Sequence, residues 1–143
     1  MMAGIRGRNT RPELAVRSHL HRAGLRFRVH VGSLPGHPDI VLPRYGTIVF
    51  VHGCFWHRHE GCRYAYQPKS NIGFWNGKFA ANVERDDAVQ RSLAALGWNV
   101  VVIWGCQTRD STALSALVDG IRTQSGGAAH PHRYRTRPGR RAN

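Results

Sequence analysis

Acidic side chains, lysines and long hydrophobic runs are scarce in this sequence. Its 143 residues hold only 8 aspartates and glutamates against 21 basic residues, and Lys69 and Lys78 are the only lysines. No apolar run approaches the twenty or so residues that span a bilayer, and the N-terminus lacks the hydrophobic stretch of a secretory signal. We therefore expect neither a membrane protein nor a secreted one, but a cytoplasmic protein.

The excess of arginine indicates a polyanionic partner. The formal net charge is +13 and the isoelectric point is near 11.3. A solubilising surface with a basic tail is the alternative, since residues 126–143 contain five arginines and no acid. Subtracting those five charges from the net charge of +13 leaves about +8 on the rest of the chain. The charge therefore favours nucleic-acid binding.

The first part of the chain predicts one helix and then three strands. Thr10 and Glu13 match a capping box around a proline in the first turn, and the helix should run to about Ala23 before Gly24. Residues 25–31, LRFRVHV, alternate apolar and polar side chains, which is typical of a strand with one buried face. The segments DIVL and TIVFV flank PRYG, and we interpret them as a hairpin.

The second part of the chain predicts a helix, a strand and a last helix. Apolar residues recur at roughly helical spacing from about Ile72 to Leu96, and WNVVVIW is typical of a strand buried on both faces. Ser111 can cap the last helix. The order αβββαβα predicts an α/β fold, a mixed sheet flanked by helices, within one domain of residues 1–123. We expect residues 124–143 to form a basic, disordered tail.

The three cysteines cannot all pair within one chain, and in a reducing compartment they favour a metal site. Cys54, Cys62 and Cys106 supply three sulfurs, and a closed structural zinc site needs one more donor. His57 lies three residues after Cys54 and His59 three residues before Cys62, so the spacing does not separate them. Reduced, buried cysteines with unrelated histidines are the alternative.

Asp39 is a candidate ligand for a hard cation, because it opens a hairpin strand whose partner runs into two histidines. Across the hairpin, Val51 and His52 should lie beside Asp39. A carboxylate, a backbone carbonyl and the imidazoles of His52 and His57 would then converge, as metal-assisted hydrolysis of a phosphodiester requires. A turn-ending aspartate is the alternative. From the sequence we interpret Glu13 as a helix-capping residue and Asp86 as part of a solvent-exposed helix face.

Several motifs together resemble the very short patch repair (Vsr) endonuclease family over about residues 2–110. They are PGHPD, FVHGCFWHRHEGC, FW, NVERD, LGW and VIWGC. The resemblance implies a restriction-endonuclease-like fold with a structural zinc. It also implies a Mg²⁺-dependent enzyme that nicks DNA 5′ of the thymine in T·G mismatches, which arise by deamination of 5-methylcytosine. Duplex DNA would be the partner of a monomer, and mismatch-repair proteins are further candidate partners.

The resemblance also assigns roles in the reaction. Asp39 and the backbone carbonyl of residue 51, here a valine, correspond to Mg²⁺ ligands. His52 corresponds to a histidine that supports the phosphate, and His57 corresponds to the proposed general base. Glu13 and Asp86 correspond to supporting acids.

The remaining assignments concern zinc and the DNA base stack. The family's zinc ligands correspond to four residues: Cys54, His59, Cys62 and Cys106. Its intercalating side chains correspond to three: Met2, Phe55 and Trp56.

Two other functions compete with the mismatch endonuclease. One is a zinc-stabilised DNA-binding protein without catalysis. An argument against it is the joint presence of Asp39, His52, His57 and Asp86. The other is a nuclease of the same fold that ignores mismatches. Exposed aromatics at Phe55-Trp56 argue against that second function, since backbone binding has little use for them. The alternative for the pair is a hydrophobic plug over the zinc site.

Overall fold

A computed structural model describes residues 10–125 of the chain, so Met2 and residues 126–143 lie outside the described part. The helices and strands are α1 (Arg11–Arg22), β1 (Arg28–Val29), β2 (Ile40–Leu42), β3 (Thr47–His52), α2 (Ile72–Ala95), β4 (Asn99–Trp104) and α3 (Ser111–Ser125). Short 3₁₀ helices follow β2 at Pro43–Tyr45 and β4 at Gly105–Arg109. This is the predicted order of helices and strands. Among the described residues no helix is long and apolar enough to cross a membrane.

The four strands form one mixed sheet in the order β1-β2-β3-β4. The β1–β2 and β2–β3 pairs are antiparallel, and β3 pairs with β4 in parallel. Ile40 lies opposite Val49 in the hairpin, and His52 lies opposite Trp104 in the parallel pair. The predicted hairpin and the predicted mixed sheet are both confirmed, and β3 lies between an antiparallel and a parallel neighbour.

Alternating side chains of the sheet enter two separate cores. Ile40, Leu42 and Val49 face residues of α1 and α3, including Val16, Leu20, Leu114, Val118 and Ile121. Val41, Ile48 and Phe50 face the opposite side, where they join Leu34, Trp98 and Leu93 of α2. Helices therefore cover both faces of the sheet, so that every residue of β2 and β3 except Val51 is buried.

Two of the predicted strands differ in extent or burial. The first covers only Arg28–Val29 instead of residues 25–31, because His30 has a left-handed φ of +47° that ends the extended chain. Val29 is consequently 38% exposed, against the predicted inward face. The prediction that β4 is buried on both faces holds only in part: Val101 packs against one core and Val100 and Val102 pack against the other, but these side chains stay half-buried. The strand β4 is an edge strand of the described sheet, where Ile103 alone is fully buried.

The helix boundaries follow local capping signals closely. Thr10 accepts a hydrogen bond from the backbone N–H of Glu13, as predicted, and α1 ends before Gly24. The helix α2 ends one residue before the predicted Leu96. The cap of α3 lies one residue earlier than predicted, since Asp110 Oδ1 accepts from the N–H of Thr112. The same helix continues to Ser125, past the expected boundary at residue 123.

Candidate functional site

Asp39 lies directly before β2, and its carboxylate is held against the neighbouring strand. Its Oδ2 accepts a hydrogen bond of 2.9 Å from the backbone N–H of Val51. The backbone carbonyl of Asp39 accepts a hydrogen bond of 3.1 Å from the backbone N–H of His30. Burial raises the pKa of Asp39 to about 6, although the Val51 hydrogen bond acts in the opposite direction. The hairpin therefore brings Asp39 to Val51, as expected, in a site that disfavours an uncompensated negative charge.

His52 and His57 form a stacked pair beside the end of β3. Their ring centroids are 4.0 Å apart and their planes differ by 8°. Burial and the neighbouring His57 lower the pKa of His52 to about 4, so this imidazole is neutral at neutral pH. The Nδ1 atom of His57 lies 2.6 Å from Oδ2 of Asp86 on α2. The carboxylate thus orients one nitrogen of His57 and leaves Nε2 as the second ring position.

Glu13 is buried beneath the same region and has more partners than a helix cap requires. It is 2% exposed, and its Oε2 lies 2.6 Å from both Arg17 Nη2 and His30 Nε2. Only its backbone N–H serves the cap of α1 that the sequence predicted. His30 was missed by sequence reasoning, because a single histidine in an alternating segment carries no spacing signal.

The predicted reaction residues line one cleft of about 440 Å³. Its walls include Asp39, Val51, His52, His57 and Asp86, together with His30. They come from the turn before β2, the end of β3, the loop after it and the middle of α2. With His37, which also lines the cleft, the chain gathers two carboxylates and four imidazoles in one solvent-accessible space, and Glu13 contacts His30 from behind it.

A second cluster contains the three cysteines and one histidine. The ligand atoms of Cys54, His59, Cys62 and Cys106 all lie within 4.8 Å of one another. Cys106 reaches the cluster because β4 runs parallel to β3, so the chain leaves both strands at the same end. His59 lies with the sulfurs, whereas His57 is paired with Asp86. The structure thus distinguishes His59 from His57 as the histidine beside the sulfurs, which the spacing in the sequence did not.

The sulfurs are too close together to carry three negative charges without a cation. Burial and the neighbouring Cys54 and Cys62 raise the pKa of Cys106 to about 11. A bound cation would reverse this effect, because it stabilises thiolates directly. Three sulfurs and an imidazole nitrogen are also the donors that zinc prefers in closed, four-coordinate sites. The residues present therefore fit a structural metal ion.

Phe55 and Trp56 are half-buried in an aromatic cluster with Tyr66, Phe74, Trp75 and Phe79. Phe55 contacts four of these rings, at centroid distances of 5.4, 4.9, 5.6 and 5.1 Å. Trp56 contacts two rings, those of Phe55 and Trp75. The surface of the cluster is open, since Tyr66 and Phe74 are each 61% exposed. Phe55 is therefore less available than the sequence suggested, and Trp56 lies nearer the edge.

Arg58 connects the loop after β3 to this aromatic cluster, and sequence reasoning missed it. Its guanidinium lies 3.9 Å from the ring centroid of Phe79 and donates hydrogen bonds to the carbonyls of Phe55, Ala65 and Tyr66 at 3.2, 2.9 and 3.2 Å. One side chain thus satisfies three carbonyl groups of an irregular loop. No pattern in the sequence distinguishes it from the other arginines.

Comparisons with known proteins give a consistent picture. The family model described as "DNA mismatch endonuclease Vsr" matches residues 1–63. The "Type II nicking enzyme V.XorIIP" of Xanthomonas oryzae pv. oryzae is 50% identical over 121 residues, which are 85% of this chain and 88% of that protein. The "DNA mismatch endonuclease Vsr" of Escherichia coli is 41% identical over 114 residues, 80% of this chain and 72% of that protein. The "Type II nicking enzyme V.NmeAIP" of Neisseria meningitidis is 41% identical over 110 residues, 77% of this chain and 78% of that protein.

We expect Arg58→Ala to lower the free energy of unfolding by about 2 kcal/mol, because three carbonyls lose a charged donor and an aromatic ring loses its cation. Arg63→Ala is the matched control, since Arg63 is an exposed arginine of the same loop whose guanidinium contacts the neighbouring Tyr64. Urea unfolding of both variants measures the difference. Equal stability of the two variants would contradict the role of Arg58.

Proposed function

The chain belongs to the Vsr family of DNA mismatch endonucleases, and we propose that it nicks duplex DNA 5′ of the thymine in T·G mismatches. This reaction would start very short patch repair at sites of 5-methylcytosine deamination. The observation that carries the proposal is the convergence of Asp39, His52, His57 and Asp86 on one cleft. The mixed sheet with helices on both faces supports a restriction-endonuclease-like fold.

We assign Mg²⁺ to the carboxylate of Asp39 and the backbone carbonyl of Val51. The fit rests on a partly buried carboxylate whose pKa is raised to about 6, which a nearby cation would stabilise in its charged form. Carboxylate and carbonyl oxygens are the ligands that Mg²⁺ prefers. When bound, the ion would polarise the scissile phosphate and offset charge that develops during hydrolysis.

The two histidines would handle protons and the phosphate. With Nδ1 of His57 donating to Asp86, Nε2 keeps its lone pair and can take a proton from the attacking water. Asp86 would hold this tautomer and stabilise the imidazolium that forms. His52, neutral and stacked on His57, can donate a hydrogen bond to a phosphate oxygen.

Zinc is the metal we propose for Cys54, His59, Cys62 and Cys106. It would join the loop after β3 to the 3₁₀ helix after β4, and thereby fix the segment that carries His57. This role is structural, because four protein ligands leave no open coordination position for chemistry.

We also propose that Trp56 enters the base stack beside the mismatch and that Phe55 supports it from below. Phe55 is surrounded by four rings, whereas Trp56 touches two, so Trp56 can leave the cluster at lower cost. Opening a mismatched step costs less than opening a paired one, so an inserted ring converts weak pairing into selectivity. The proposed third insertion residue, Met2, lies outside the described residues.

For Asp39→Asn we expect nicking of a T·G duplex to fall by at least about a thousandfold, because the metal loses its carboxylate ligand. DNA affinity should stay equal or rise slightly, since one negative charge facing the phosphates is removed. Asp87→Asn, which removes an exposed acid from α2, is the control. Assays with Mg²⁺ or EDTA, on T·G and matched duplexes, test the proposed function as well. Nicking by Asp39→Asn within a few-fold of the parent would show that the metal site is misplaced.

The second prediction concerns zinc binding and distinguishes His59 from His57. Cys106→Ser and His59→Asn should lose most of the bound zinc and melt at a lower temperature, because metal binding contributes folding energy. His57→Asn should keep its zinc, since His57 pairs with Asp86 instead. Elemental analysis and thermal unfolding measure both effects. A fully folded parent without metal, or loss of zinc from His57→Asn, would refute the assignment.

The third prediction concerns Trp56→Ala. Stacking between a base and an aromatic ring contributes roughly 1–3 kcal/mol, so we expect T·G nicking to fall by at least about tenfold. Binding to matched duplex should change little, because arginine–phosphate contacts dominate it. Phe74→Ala, which removes an exposed ring of the same cluster, is the control.

Zinc content and melting temperature of Trp56→Ala separate insertion from a packing role. If the tryptophan is a plug, the variant should lose stability and zinc together with activity. A stable, zinc-replete variant with undiminished preference for T·G would defeat the insertion proposal.

A further inference from the structure

Glu13, His30 and Asp39 come from three separate parts of the chain and meet beside the cleft. One ligand atom from each lies within 4.8 Å of the others. Glu13 belongs to α1, His30 follows β1, and Asp39 precedes β2. The backbone N–H of His30 donates to the carbonyl of Asp39, so the β1–β2 pairing itself places these two residues together.

The conformation of His30 directs its ring toward the two carboxylates. Its φ of +47° is uncommon for a residue with a side chain and costs about 1–2 kcal/mol. The ring is 15% exposed, lines the cleft, and has Nε2 2.6 Å from Oε2 of Glu13. Strain of this kind persists where the surroundings hold a residue in place, and it is frequent at functional sites.

The formal charge of the group favours a cation. Glu13 and Asp39 contribute two negative charges, and Arg17 compensates one of them at Oε2 of Glu13. The second negative charge, that of Asp39, lies in a partly buried place beside the cleft. Charges in such places are paired or coordinate metals. The two carboxylates suit Mg²⁺ and Mn²⁺ alike, whereas an imidazole nitrogen is a donor that transition ions accept more readily than Mg²⁺.

We propose that His30 and Glu13 join Asp39 as ligands of the divalent cation, which takes the place of the proton between His30 Nε2 and Oε2 of Glu13, so that the site has a nitrogen donor and discriminates between Mn²⁺ and Mg²⁺. The inference rests on the proposed function, in which Asp39 holds the catalytic cation. Mg²⁺ prefers oxygen ligands and retains its water, so it gains little from an imidazole. Mn²⁺ accepts imidazole more readily, and His30 therefore contributes mainly to Mn²⁺ affinity.

The test measures metal binding directly, on zinc-loaded protein without DNA. Electron paramagnetic resonance of free Mn²⁺ gives the Mn²⁺ affinity, and competition gives the Mg²⁺ affinity. His30→Gln is the informative variant, because glutamine can still donate a hydrogen bond to Glu13 but offers no imidazole nitrogen. His37→Gln is the matched control, since His37 lines the same cleft outside the cluster.

For His30→Gln we expect Mn²⁺ affinity to fall by at least about tenfold and Mg²⁺ affinity by less than about threefold. His37→Gln should bind both ions as the parent does. Unchanged Mn²⁺ affinity in His30→Gln would overturn the inference. An equal loss of both ions would also overturn it, because His30 would then only position the carboxylates.

A spectroscopic measurement covers the case in which His30→Gln folds poorly. Pulsed resonance spectra of the Mn²⁺-loaded parent should contain nitrogen coupling from a directly bound imidazole, and the absence of that coupling would contradict the proposal. Asp39→Asn separates this inference from the proposed function. Loss of both ions from Asp39→Asn, with no effect in His30→Gln, contradicts the inference alone. Unchanged binding in Asp39→Asn contradicts both.

Discussion

The hydrogen bond from the backbone N–H of Val51 to the carboxylate of Asp39 fixes the register on which the cleft depends. It extends the pairing of β2 with β3, in which Ile40 lies opposite Val49. Side chains alternate between the faces of a sheet, so a slip of one residue would turn His52 away from the cleft. A single contact across the hairpin thus sets the distance between the acid and the stacked histidines.

The parallel pairing of β3 with β4 imposes the second constraint. It brings Cys106 to the loop that carries Cys54, His57 and His59, so one short segment serves both clusters. Under the proposed function, zinc on one side of this loop and Asp86 on the other would hold His57 from two directions. The two histidines of this loop are then divided by position, with His59 among the sulfurs and His57 in the cleft.

Local signals predicted the fold well, and contacts between distant residues account for what they missed. The cap at Thr10 and the hairpin around PRYG depend on neighbouring residues, so the sequence contains them. The burial of β4 depends on which strands surround it, and no periodicity reports that. His30 and Arg58 act as single side chains and leave no spacing pattern. Phe55 looked exposed because its ring partners come from a later loop and from α2.

The distribution of acids gives a physical reason for a metal-dependent reaction in so basic a chain. Three of the eight acids, Glu13, Asp39 and Asp86, lie in or beneath one cleft, while arginines dominate elsewhere. A phosphate attracted by the arginines would meet repulsion at the cleft itself. A divalent cation between Asp39 and the phosphate changes that repulsion into attraction. Under the proposed function, the ion is therefore required to place the phosphate productively in the cleft. Binding of DNA by the surrounding surface does not require the ion.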